Sequence, residues 1–323
     1  MNEEWMGEEN TFNTLLADNR IIFPNNGKGA PRKKYFKSER EEEGQCATNW
    51  WPSDQFGHNQ GGNDEATEIF GIKNVFSNPK PTKLLTNLMS IANCGDNDIV
   101  LDFFAGSGTT AHAAMLYESK MRFIIVQLPE KLNESVKEQK IAWDYCQQNH
   151  LPPNIAELTK VRLRGASKKV HGENPNHDKD LGFKAFKLDS SNIRAWNPDR
   201  ADLEKTLLDH TEHLVEGRSE DDVLYELLLK RGVDLNVPIE EKTIKGKKVY
   251  SIGYGALFAC LATKISPDDV EELAQGIIGW HKELEPETDT QIVFRDSAFS
   301  DDIAKTNISA ILEQHGIAHV RSL

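Results

Sequence analysis

The chain has 323 residues, 38% hydrophobic and 28% charged, with 51 Asp and Glu against 38 Lys and Arg, for a net charge of −13. That length buries a substantial core and predicts two domains, while its longest apolar run, Ile252 to Ala262, is short and glycine-interrupted and excludes a bilayer-spanning helix. The acidic start (Glu3, Glu4, Glu8, Glu9) is no signal peptide, and four scattered cysteines (Cys46, Cys94, Cys146, Cys260) make neither a disulfide framework nor a zinc ribbon, so a cytoplasmic location is the default expectation.

The charge is uneven along the chain. Residues 1–171 carry 20 Lys and Arg against 22 Asp and Glu, whereas residues 172–323 carry 18 against 29. Nonspecific coating of nucleic acid is therefore not expected, and if nucleic acid is bound, the first half binds it.

Residues 1–70 read as irregular, dominated by Asn, Gly, Pro and charges. Within them Lys28, Arg32, Lys33, Lys34, Lys37 and Arg40 form a basic cluster around Tyr35 and Phe36. This is either a solvated loop or a phosphate-contacting loop with aromatic platforms. Trp50 and Trp51 are expected to pack on the core.

Pro81 to Ala92 is apolar at helical spacing, with Pro81 suited to a first turn. Ile99 to Phe104 predicts a strand, Thr109 to Tyr117 a helix, and Phe123 to Leu128 a second strand. Strand, helix, strand at this spacing predicts parallel, adjacent strands with a ligand at their carboxyl ends. That rim would carry Asp102 to Gly108 and Gln127 to Glu130. The segment 151–190 holds a basic helix (Lys160, Arg162, Arg164, Lys168, Lys169) read as a solvated face, followed by an edge strand from Lys184 to Leu188.

The remainder predicts a second small α/β region. A helix runs from Ser219 to Arg231, a strand from Lys248 to Ile252, and a helix from Ser266 to about Trp280. Gln291 to Phe294 is a strand, Asp301 to His315 a helix, and Ala318 to Val320 a closing strand. His210-Thr211-Glu212-His213 lacks a zinc-protease order and reads as a helix face; no metal site and no serine nucleophile elbow is expected. The acid pairs Asp221-Asp222, Asp268-Asp269 and Asp301-Asp302 sit in helix first turns, where they complement the dipole.

The run Val100 to Thr110 carries the chemistry. A strand closes on Asp102, Gly106 and Gly108 open the backbone to a ligand, and Ser107, Thr109 and Thr110 offer caps and hydroxyls at a helix start. An acid beside free amides suits the zwitterionic methionine of S-adenosylmethionine. The same letters fit the dinucleotide pattern G-x-G-x-x-A, with Glu130 near the spacing of a ribose acid, although Asp102 would repel a pyrophosphate; a P-loop lacks its lysine. Asn78-Pro79-Lys80-Pro81 precedes this unit, a stiff loop that either enters a helix or aims Lys80 at the pocket.

Together Val75 to Pro81, Asp102 to Thr110 and Gln127 to Glu130 resemble the modification subunits of type III restriction–modification systems, adenine-specific DNA methyltransferases in which the cofactor motif follows the catalytic one. Gly57-His58-Asn59 with Glu65-Ala66, Leu181 to Asn192, Leu224 to Lys230 and Val293 to Phe299 resemble further parts of those subunits. The resemblance implies an α/β fold with a partial Rossmann-like methyltransferase sheet, the S-adenosylmethionine-binding half, and a smaller C-terminal α/β domain. It implies three regions: 1–70 following a missing target-recognition region, 71–190 binding S-adenosylmethionine, and 191–323 closing the subunit. Phe104, Ala105, Gly106 and Gly108 would line the methionine end with Asp102 nearby; Phe76, Lys80 and Pro81 would wall the pocket; Glu130 would hold the ribose; and Phe103, Ser107, Thr109 and Gln127 belong to the same cofactor-binding set.

One motif of the family is missing. No Asp-Pro-Pro-Tyr occurs, and Leu151-Pro152-Pro153-Asn154 has the wrong flanks and lies on the wrong side of the loop. In the family that tetrapeptide accepts hydrogen bonds from the adenine amino group and stacks on the flipped base. No catalytic residue is therefore assigned. The implied partners are double-stranded DNA, an upstream half carrying the tetrapeptide, and a restriction (helicase/nuclease) subunit. An unpaired strand edge would invite homodimerisation. A noncatalytic S-adenosylmethionine-binding or subunit-interaction remnant is the alternative, and a nicotinamide dehydrogenase rests on the glycine pattern alone.

Overall fold

The computed structural model describes residues 8–39, 46–194 and 214–323. Contacts separate Met1–Phe183 from Lys184–Leu323, and each unit has its own core. Arg40 and His210 to His213 lie outside the described residues.

In the first unit α1 (Glu9–Ala17) leads into an antiparallel pair, β1 (Ile21–Ile22) and β2 (Arg32–Lys33). A single turn, α2 (Ser53–Phe56), precedes α3 (Asn59–Phe70). The stretch expected to be irregular thus contains a three-turn helix. Its sequence has two glycines and little periodicity; local capping and packing compensate. His58 Nδ1 accepts from the Gly61 amide, and Gly62, Ala66 and Phe70, four residues apart, form one buried face. Trp50 and Trp51 do not enter the core: they are 76% and 42% exposed. Trp51 stacks on Phe56 at 4.9 Å and donates to the Thr48 carbonyl, so its needs are met at the surface.

Next come α4 (Thr82–Ile91), β3 (Ile99–Asp102), α5 (Thr109–Leu116) and β4 (Arg122–Ile125). β3 and β4 are parallel and adjacent, as their spacing predicts, with register running from Ile99↔Arg122 to Asp102↔Ile125. α5 is buried from Thr109 to Met115, which explains its alanines and its lack of a polar face. α6 (Lys140–Gln148) and α7 (Ile155–Glu173) complete the unit. One face of the strand pair packs on helices through Val100, Phe123 and Ile125. The other shows Ile99, Leu101, Phe103, Ile124, Val126 and Leu128, each between 49% and 63% exposed.

The second unit is built on a five-stranded sheet ordered β5-β6-β7-β8-β9. β5 (Ile239–Ile244), β6 (Lys247–Ile252) and β7 (Leu257–Cys260) are antiparallel, while β8 (Gln291–Phe294) and β9 (His319–Ser322) continue parallel to β7. α8 (Glu220–Lys230) covers one face through Leu224 and Leu228; α9 (Pro267–Leu284) and α10 (Asp302–Gln314) cover the other through Leu273, Ile277 and Ile308. Covered on both faces, β7 is buried at every position. Capping boxes at Ser219 with Asp222 and at Ser266 with Asp269 fix the starts of α8 and α9.

The apolar run Ile252 to Ala262 is interrupted at its glycines, as read: Gly253 and Gly255, at φ +61° and +90°, turn it from β6 into β7. One local expectation changes. Lys184 to Leu188 forms no strand, because no strand among the described residues partners it: Lys184 donates to the Leu235 carbonyl, Phe186 packs edge-on against Tyr225, and Leu188 is 98% exposed. No helix of the described residues is long and apolar enough to cross a membrane.

Phe258 is fully buried and packs edge-on against Trp280 at 5.4 Å. Phe258→Ala should destabilise the second unit by about 3–5 kcal/mol, read as a lower denaturant midpoint for the fluorescence of Trp280.

Candidate functional site

The glycine loop is held by its own strands. Asp102 Oδ1 accepts from the Phe104 amide at 3.0 Å and Oδ2 from Thr110 Oγ1 at 2.5 Å. Ala105 N donates to the Val126 carbonyl at 3.0 Å, and Gly106 N donates to Gln127 Oε1 at 2.7 Å. Gln127 thus joins the loop through its side chain, on the rim where the parallel strands end.

Both glycines have positive φ, +52° at Gly106 and +79° at Gly108. A Cβ on Gly108 would stand 3.0 Å from Thr159 Cγ2 of α7, whereas one on Gly106 would meet only Phe104 O at 3.8 Å. Gly108 is needed for close helix packing; Gly106 leaves open space beside the loop. The expected hydroxyl caps are not used. Gly108 is itself the N-cap of α5, with no side-chain cap, because Thr110 is committed to Asp102 and Ser107 and Thr109 face another partner.

The second wall is the Asn78-Pro79-Lys80-Pro81 loop. Pro79 and Pro81 are buried and the Lys80 side chain is exposed. α3 fits against this loop through Gly62, where a Cβ would come within 2.2 Å of the Pro79 carbonyl oxygen. Gly57, at φ +80°, passes the Pro81 ring, 3.0 Å from where a Cβ would stand. The Thr82 amide and hydroxyl both donate to the Glu65 carboxylate, at 3.0 and 2.9 Å. Phe76 packs half-buried with Ala66, Phe70 and Val75.

The two walls meet at Arg162. This residue of α7, expected on a solvated face, has no exposed surface. Its Nη1 donates to Ser107 Oγ at 2.6 Å and to Thr109 Oγ1 at 2.9 Å, and its Nη2 lies 3.6 Å from Glu65 Oε2. Thr109 Oγ1 in turn donates to the Lys80 carbonyl at 3.2 Å. Burial lowers the Arg162 pKa to about 10, opposed by Glu65, so the guanidinium stays charged at neutral pH. None of Arg162, Glu65 and Thr159 is expected at the site from sequence: Arg162 reads as part of a solvated face, Glu65 only as part of the family resemblance, and Thr159 carries no signal. A signal was available: Arg162 lies four residues from both Leu158 and Ala166, on the buried stripe of α7.

Among the other residues named from sequence, Phe103 and Phe104 stand 62% and 79% exposed with ring centroids 5.3 Å apart. Glu130 is exposed; its carbonyl accepts from the Ile155 amide at the start of α7, and its carboxylate makes no bond to the loop. Lys28, Arg32, Lys33 and Lys37 are exposed on and beside the β1–β2 pair, where Lys33 lies over the Tyr35 ring at 5.0 Å and Lys34 donates to Asn19 Oδ1 at 3.2 Å.

His112 on α5 is 3% exposed and its Nδ1 has no partner. Burial, with the charges of Arg162 and Lys169, lowers its pKa from 6.5 to about 3. Between those values the unfolded chain binds a proton that the folded chain does not. The contribution of neutral His112 to stability is therefore complete above pH 6.5 and is lost as pH drops toward 3. In His112→Leu this part of the pH dependence should disappear, which thermal melts of the full chain across that range will read. Gly62→Ala should cost about 1–3 kcal/mol by overpacking against the Pro79 carbonyl, seen as a lower melting temperature of the first unit.

Residues 7–138 match a family model described as DNA methylase. The chain is 33% identical over 188 residues to the type III restriction-modification enzyme StyLTI Mod subunit of Salmonella typhimurium, covering 57% of this chain and 26% of that protein. It is 31% identical over 256 residues to the EcoP15I Mod subunit of Escherichia coli, covering 74% and 34%. It is 53% identical over 58 residues to the type II methyltransferase M.KpnI of Klebsiella pneumoniae, covering 17% and 13%. The chain thus spans about a quarter to a third of the length of the Mod subunits it matches. Residues 7–138 carry the DNA methylase family's sequence pattern, and the chain is related to a segment of type III modification subunits.

Proposed function

We propose that this chain is the methyl-donor half of an adenine-specific DNA methyltransferase of a type III restriction–modification system, binding S-adenosylmethionine at the glycine loop. The observation that carries the reading is the joining of two walls: a carboxylate-bearing glycine loop and a proline-stiffened lysine loop tied together by Arg162 and Thr109. The donor set fits a zwitterion. Asp102 keeps acceptor capacity beyond its two present bonds and would hold the ammonium. Lys80 has no ion-pair partner among the described residues and would hold the carboxylate. The open space at Gly106 would admit the methionine chain between them, Phe76, Phe103, Phe104, Ala105 and Pro81 would wall it, and Glu130 would take the ribose hydroxyls.

S-adenosylmethionine, when bound, supplies a methyl group on a sulfonium. The residues here orient that donor and shield one side of it; they offer nothing to hold an adenine amino group. We assign that task to an Asp-Pro-Pro-Tyr segment outside these 323 residues. The bare face of β3 and β4 supports this assignment, because parallel strands are stable when both faces are covered. In this reading β3 and β4 are part of a larger Rossmann-like sheet, and the 191–323 region is the C-terminal domain of the modification subunit. Lys28, Arg32, Lys33, Lys34 and Lys37 would contact DNA phosphates. A restriction subunit would be the protein partner, and the assembly would be cytoplasmic.

Titration calorimetry of the purified chain with S-adenosylmethionine should give a saturable signal, weakened about 10- to 100-fold in Asp102→Asn by loss of a charged hydrogen bond. Label transfer to adenine in DNA should require the added Asp-Pro-Pro-Tyr half of a type III modification subunit. Transfer by the chain alone would overturn the division of labour, and absence of donor binding would overturn the reading. Donor binding without transfer in the reconstituted mixture would instead favour a noncatalytic remnant.

A further inference from the structure

We propose that Arg162 is a positioning residue: it locks the glycine loop and the Lys80 loop together so that the donor pocket has its shape before any ligand arrives. This rests on the donor reading of the pocket and adds a residue that touches neither donor nor acceptor.

The hydroxyl protons make the case. A hydroxyl has one proton and two lone pairs. Thr109 spends its proton on the Lys80 carbonyl at 3.2 Å, so in its 3.0 Å contact with Ser107 it must be the acceptor and Ser107 the donor. Ser107 Oγ is then left without a donor in a buried setting, and Arg162 Nη1 supplies it at 2.6 Å while also reaching the second lone pair of Thr109 Oγ1 at 2.9 Å. The same guanidinium faces Glu65, which holds the Thr82 amide at the start of α4, just after the Lys80 loop. Nη1 makes both hydroxyl bonds, and Nη2 turns toward Glu65 as a counter-charge without a hydrogen bond; an ammonium has no second nitrogen for that direction. Glu65 touches Arg162 and Thr82 but has no hydrogen bond to the glycine loop. Ser107 touches Arg162 and Thr109 but has none to residues 78–82. Beside the Thr109–Lys80 bond that joins the two loops directly, Arg162 is the side chain that links Glu65 to Ser107.

Hydrogen–deuterium exchange of the ligand-free full chain tests this. In Arg162→Met, peptides covering residues 104–110 and 78–84 should both exchange at least tenfold faster, while peptides from residues 247–294 stay unchanged. Arg162→Lys should recover little of the protection, and added guanidinium should restore it in Arg162→Ala where equimolar urea does not. Donor affinity, read by calorimetry, should fall at least tenfold in the same variants. Should Arg162→Met fail to fold, Glu65→Gln supplies the decisive measurement. It keeps an acceptor for Thr82 while removing the charge facing Arg162, and residues 104–110 should still exchange severalfold faster. Wild-type exchange at 104–110 in Glu65→Gln, or loosening of only one wall in Arg162→Met, would overturn the proposal. Failure of the wild-type chain to bind donor would sink the functional reading while leaving this coupling measurable by exchange.

Discussion

A guanidinium with no exposed surface must find its partners inside the protein, and in the first unit that requirement organises the neighbourhood of the glycine loop. Burying an ion costs several kcal/mol unless hydrogen bonds and a counter-charge answer it. Arg162 finds two hydroxyls on the glycine loop and a carboxylate on α3. Those partners explain several residues at once. Ser107 and Thr109 serve the arginine rather than the helix end, and Glu65 answers both the arginine and the start of α4. Gly62 and Gly108 are bare because helix, loop and backbone must approach closely enough for these bonds to form.

The two sheets differ in completeness. In the second unit every strand position of β7 is buried, with helices on both faces, and Leu228, Ile252, Phe258 and Ile277 fill the interior at 1% exposure or less. In the first unit the parallel pair β3 and β4 has a helical layer on one side and a row of half-exposed Ile, Leu, Val and Phe on the other. Parallel pairing needs a crossover connection, and the helix that makes it, α5, covers one face only. The remaining apolar face has the alternation of a sheet built to be covered twice. The glycine loop sits at the carboxyl end of this pair, so anything that covers the face also borders the loop.

Legibility followed the range of the forces involved. β3, α5 and β4 could be read because strand, glycine turn and alanine-rich helix are local patterns with a crossover of known hand. The helices of the second unit could be read because Ser219, Ser266 and Asp301 announce their starts. α3 could not, since its two glycines and sparse apolar residues argue against a helix until Pro79 and Pro81 are placed beside it. β5, with Glu240, Glu241 and Lys242 facing solvent, becomes a strand only by pairing with β6. The edge strand expected at Lys184 to Leu188 failed for the converse reason, having the alternation and no partner.

Sequence alone determined the composition of the two loops: an acid at the end of a strand, two glycines able to adopt positive φ, and a lysine held between prolines. Each depends on covalent geometry or on residues within a few positions. Tertiary structure alone decided which charges are buried and which are free. It sent Arg162 inward from a helix whose other cations face solvent, left Trp50 outside, and brought residues 65, 80, 107 and 162 into one network. The reason is physical: whether a polar side chain is solvated or paired depends on neighbours up to about a hundred residues away in the chain, and no local pattern encodes them.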